Sequence, residues 1–151
     1  MKYTEKMSKK LNALLEKNYD AERGYRNAAD DVDNERLKEF FLDRAAQREV
    51  FAKELRMEIL SFGEIPEDSG SATGTVHRAW MDLKSFFSSN NEESILEECV
   101  RGDNAAIEEY NEVLSEQATL PPTTVTLLTK QRDEIQASIN NVKYYEDIVS
   151  S

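Results

Sequence analysis

The 151 residues are 39% apolar and 32% charged, with only five Gly and three Pro; this balance fits one helical domain with a single core and argues against a turn-rich β-sandwich. Thirty acidic against nineteen basic residues give a net charge of −11, which opposes binding to nucleic-acid phosphates or to anionic membranes. One cysteine, Cys99, excludes an intrachain disulfide, and one histidine, His77, leaves little imidazole for metal or relay chemistry.

A first helix is predicted over residues 4–31. Leu11, Leu15, Glu22, Tyr25 and Ala29 fall on one face, at spacings of three and four or their sums. The Asp31-Val32-Asp33-Asn34 break supplies a turn and an N-cap. A second helix is predicted over 34–62, with Leu37, Phe41, Arg44, Arg48, Phe51, Leu55 and Phe62 facing inward. A short turn between two long amphipathic helices makes them antiparallel neighbours.

Residues 63–74 are rich in Gly, Pro, Asp and Ser and read as a loop. A shorter helix is predicted over 74–88, anchored by Trp80 among Val76, Leu83 and Phe87; His77 at its start has no local partner for a relay. Asn90 and Glu93 have capping-box spacing for a helix over 91–117 carrying Leu96, Cys99, Asp103, Ala106, Tyr110 and Val113. Cys99 on that stripe reads as a small core residue. Pro121 and Pro122 open the last helix, 121–149, whose buried face is marked by Leu128, Ile135, Ile139, Val142 and Tyr145.

The expected architecture is therefore all-α, a four-helix bundle of one domain spanning 1–151. Two antiparallel hairpins are joined by a long crossover containing a short helix. A connection that long can cross the bundle from end to end, which sets the second long helix parallel to the third and the first parallel to the fourth.

The inward stripes carry charge at mid-length. Glu22 and Arg44 lie at similar distances on either side of the first turn, and the parallel third helix brings Asp103 towards the same depth. Glu22, Arg44, Arg48 and Asp103 balance in sign, and arginine's planar fork suits bridging of carboxylates. They are expected to form a buried polar layer that fixes helix register, with Tyr25 or Tyr110 donating to Glu22, the alternative being that the arginines reach solvent while their stems cover the core. The competing chemistry is a hard-cation site of carboxylates, with Glu22, Asp103, Glu109 and Glu134 as its ligands. Arg44 and Arg48 would add positive charge beside such an ion.

The segments LNALLEKNYDAERGYRNAADDV (11–32), FFLDRAAQREVFAKEL (40–55), GSATGTVHRAWMDLK (70–84) and ILEECVRGDNAAIEEY (95–110) together resemble a bacterial family. Its members are small four-helix-bundle proteins of unknown function, placed in the ferritin-like superfamily. The resemblance runs from Lys10 to Tyr145 and implies the ferritin-like fold but no activity. Ferritin-like oxidases place Glu-x-x-His on the second bundle helix, often repeated on the fourth. Here the corresponding pairs are Arg44–Gln47 or Arg48–Phe51, and Gln131–Glu134 or Ile135–Ser138.

The expectation is a non-catalytic, cofactor-free interaction or stress-associated protein whose metal site has degenerated. Its partner is an unspecified protein or a second copy of the chain, and neither nucleic acid nor membrane is expected. The alternative is a ferritin-like protein or oxidase binding iron or manganese through irregular carboxylates. Residues 1–10 lack the apolar core of a signal peptide, and no run approaches the roughly 18 apolar residues of a membrane span, so a cytoplasmic location is expected.

Overall fold

The structure, a computed structural model, describes residues 2–68 and 92–150. The predicted helix over 74–88, with His77 and Trp80, and the Asn90 cap lie outside these residues. Four long helices account for nearly all of the described chain: α1 (Tyr3–Asp31), α2 (Glu35–Ser61), α3 (Glu92–Leu114) and α4 (Pro122–Ser150). The third is shorter than its sequence pattern indicated. It stops at Leu114, and a 3-10 turn, Gln117–Thr119, turns the chain towards α4.

Local chemistry explains the ends. The Asn34 side chain accepts the Leu37 amide at 3.1 Å and satisfies one of the free donors at the start of α2. At the other end Gly63 adopts φ +76°. The Gly63 amide donates to the Leu60 carbonyl and the Glu64 amide to the Ile59 carbonyl, the paired bonds of a Schellman stop. A Cβ at Gly63 would meet nothing within 4 Å, so a side chain there is opposed by backbone conformation alone. Gly63→Ala is accordingly expected to cost about 1 kcal/mol, read as a lower urea midpoint at unchanged slope. An unchanged midpoint would mean that the helix end leaves the left-handed region without penalty. Pro122 occupies the first turn of α4, where its missing N–H has no intrahelical acceptor to lose.

Contacts between the helices fix the topology. Along α1 and α3 the pairs Lys10–Glu116, Lys17–Glu109 and Tyr25–Asp103 run in opposite sequence directions. So do Arg44–Ser138, Gln131–Phe51 and Thr124–Glu58 along α2 and α4. Each helix thus lies antiparallel to both neighbours, in the ring order α1, α2, α4, α3. It follows that α2 runs parallel to α3 across the diagonal and α1 parallel to α4. This is the ferritin-like, all-α four-helix bundle.

The core has two apolar halves. One gathers Tyr25, Ala28, Val32, Leu37, Phe40, Phe41, Leu96 and Cys99. The other gathers Leu11, Leu14, Leu15, Phe51, Leu55, Ile59, Leu128 and Ile135. Between them every helix contributes a polar side chain: Asn18, Arg48, Asp103 and Gln131, all buried. Among the described residues no helix is long and apolar enough to cross a membrane.

Candidate functional site

Arg48 stands among the largest fully buried side chains of the described residues, 1% exposed. It projects from the inner face of α2 and is held by two helices at once. Nη2 donates to Asp103 Oδ1 at 2.6 Å, and Nη1 donates to Asn18 Oδ1 at 3.0 Å. The second carboxylate oxygen of Asp103 accepts the hydroxyl of Tyr25 from α1. Asn18 Nδ2 donates to the Leu14 carbonyl at 2.8 Å and to Tyr110 Oη at 3.0 Å. The Tyr110 hydroxyl donates to Gln131 Oε1 at 2.6 Å, and Gln131 Nε2 donates to the Phe51 carbonyl and Glu54 Oε1. One hydrogen-bonded network therefore crosses all four helices, from Tyr25 at one side to half-exposed Glu54 at the other.

Burial sets the electrostatics of this layer. It raises the Asp103 carboxyl above its usual value, while Arg48, the Tyr25 hydrogen bond and Arg44 oppose the rise. Burial, followed by the charge of Asp103, pushes the Tyr25 phenol well up. Burial likewise takes Tyr110 to about 12. The Cys99 thiol is also pushed well up, by burial and then by Asp103, which makes it an inert core residue rather than a nucleophile.

A raised folded-state pKa means that the native protein holds the Asp103 proton more tightly than the unfolded chain does. The stabilisation from this group is complete below the unfolded value of about 4 and is lost as pH rises through the folded value. Wild-type stability measured against Asp103→Asn should therefore decline with rising pH above about 4 and then level off. A difference that instead grows with pH would mean that Arg48 outweighs burial.

Of the four side chains expected in the layer, Arg48 and Asp103 meet there, whereas Glu22 does not. Glu22 lies at the edge of the α1 stripe, partly exposed, and accepts from Arg26 one turn on at 3.0 Å; Arg26 also reaches Glu49 across the α1–α2 seam. A solvated partner on its own helix spares Glu22 the desolvation that a buried carboxylate carries. Tyr25 and Tyr110, read as donors to Glu22, serve Asp103 and Gln131 instead. Arg44 sits beside the layer, half-buried; it donates to the Ser138 hydroxyl, and its guanidinium lies 5.6 Å from the Phe40 ring centre.

Sequence reasoning passed over Asn18 and gave Gln131 no role in the layer. The signal for Asn18 was its spacing, three residues after Leu15 and seven before Tyr25 on the same stripe.

The carboxylates proposed for a metal are dispersed. Glu109 pairs with Lys17 at 2.5 Å near the surface. Glu134 is half-buried on α4, with its carbonyl taken by Ser138. Asp103 is the one carboxylate among the four that enters the layer, and both of its oxygens are engaged by Arg48 and Tyr25. Among the described residues no three His, Cys, Asp or Glu side chains are grouped to hold an ion. Among the described residues these carboxylates do not fit a di-iron or manganese centre, because Asp103 alone of the four reaches the layer and the Arg48 guanidinium is already paired with it.

A family model described as "Domain of unknown function (DUF2383)" matches residues 6–116. Among solved structures, the chain is similar to the bacterioferritin-related protein from Bacteroides fragilis, described as a dodecameric thioferritin. The TM-score is 0.76 at 18% identity, over 97% of this chain and 88% of that one. No curated protein matches the sequence.

Proposed function

This chain belongs to the DUF2383 family, a domain of unknown function, and on that footing we propose that it works by presenting helix surfaces to protein partners, further copies of itself included, and not by oxidising metal. The observation that carries the reading is the Arg48–Asp103 pair at the bundle centre. In an oxidase of this fold that region supplies carboxylates and imidazoles to two metal ions. Here it supplies a cation already neutralised and a network whose donors and acceptors are matched across four helices. Such a layer fixes the register of the helices, as buried polar groups do in other bundles. Self-association is supported by the fold neighbour, which is described as a dodecamer.

The test is iron handling. Protein purified without chelator and mixed with ferrous iron in air should form ferric product no faster than buffer, and elemental analysis should find no stoichiometric iron or manganese. Stoichiometric metal that disappears in Asp103→Asn, or iron oxidation above the blank, would overturn the reading.

A further inference from the structure

The inner face of α2 fills the core, yet its outer face is also apolar. Leu42 is 43% exposed, Val50 51%, Met57 69% and Leu60 54%. With exposed Ala46 these residues recur at spacings of four, four, seven and three, so they form one stripe opposite Phe41, Arg48 and Leu55. The stripe is about 27 Å long at 1.5 Å per residue. Scattered exposed apolar residues need no explanation, but this line, interrupted on its face by Lys53 between Val50 and Met57, marks an interaction surface.

We infer that this stripe is a two-fold interface between copies of the chain, with α2 packed antiparallel against α2. This rests on the self-association part of the reading above. The occupant is identified by self-complementarity. A two-fold at the level of Phe51 sets Leu42 opposite Leu60 of the second copy, Ala46 beside its Met57, and Lys53 opposite its Glu49, each contact occurring twice. An isologous interface demands this reciprocity. Within one copy Lys53 already lies 3.6 Å from Glu49, and Arg26 of α1 lies 3.0 Å from the same carboxylate. The flank of the stripe is thus of mixed sign in a chain of net charge −11, so like copies can approach along this face.

Sedimentation velocity on the full chain reads the outcome. The wild type should run at a mass of at least twice the 17.3 kDa chain. Val50→Glu with Met57→Glu should give a smaller species, with helical circular dichroism unchanged because both residues are exposed on the single chain. Lys53→Glu should weaken association by setting like charges opposite one another, and Lys53→Glu with Glu49→Lys should restore it. A 17.3 kDa species at protein concentrations up to about 1 mM, a range in which even weak association registers, would overturn the inference. So would an assembly left intact by the paired glutamates, or a charge swap that restores nothing. Iron oxidation by an assembled protein would sink the reading of the core and leave this interface standing. A monomer inert towards iron would do the reverse.

Discussion

Arg48→Met is expected to destabilise the protein by about 3–5 kcal/mol at neutral pH, the range for removing one partner of a buried ion pair. For a chain of this size that corresponds to a fall in melting temperature of roughly 10 °C. The loss has two sources. The Asp103 carboxylate, 3% exposed, keeps the Tyr25 hydroxyl but loses its counter-charge. Asn18 Oδ1, on a side chain closed off from solvent, loses its donor. Replacing both partners, Arg48→Met with Asp103→Leu, should recover much of the deficit, because apolar residues of similar volume need no compensation. The pH dependence gives an independent check. As pH falls and Asp103 takes up its proton, the neutral acid no longer needs the guanidinium, so the gap between wild type and Arg48→Met should narrow. A double variant as weak as the single, or a gap indifferent to pH, would mean that the two charges do not depend on each other.

Phe41→Ala should be comparably damaging, at about 3–5 kcal/mol. Phe41 is fully buried on α2 and packs against the Phe40 ring at 5.6 Å and the Tyr25 ring at 6.1 Å between centroids. Its removal opens a cavity next to the tyrosine that donates to Asp103. Part of the cost should therefore be shared with the polar layer. A double-mutant cycle of Phe41→Ala with Tyr25→Phe should show coupling above 0.5 kcal/mol, the scale found for residues in contact. Strict additivity would show that the Tyr25 hydrogen bond does not depend on the packing of Phe41. The denaturant midpoints of the four proteins provide the measurement.

Both predictions concern residues whose placement was largely legible in the chain. The apolar spacing of Leu11, Leu15, Tyr25 and Ala29, and of Leu37, Phe41, Phe51 and Leu55, defines the inward faces because helical geometry leaves little choice. Arg48 and Asp103 lie at the centres of their stripes, with Ala45 and Phe51 a turn away from the first and Cys99 and Ala106 a turn away from the second, so position brings both towards the core. Glu22 and Arg44 lie at stripe edges. There a long side chain can turn towards a partner on its own helix or a neighbouring one, and periodicity does not decide between the two. Arg26, four residues after Glu22, settled the first case, and Ser138 on α4 settled the second. Asn18 escaped notice for the opposite reason: a short amide among leucines looks like a flaw in a stripe until Tyr110 and Arg48 are seen to converge on it.

The helix boundaries show the same division. Asn34 and Gly63 marked the ends of α2 through capping and left-handed geometry that are local to the sequence. The early end of α3 at Leu114 was not marked, because no glycine stands there; the 3-10 turn that follows is closed by the Thr119 amide donating to the Glu116 carbonyl.

The occupancy of the bundle centre is tested most directly by diffraction at the iron absorption edge from crystals grown with ferrous iron. The expected map has the Arg48 guanidinium within hydrogen-bonding reach of Asp103 and Asn18, and no anomalous peak between the four helices. An anomalous peak ligated by Asp103, with Arg48 turned out towards solvent, would contradict it.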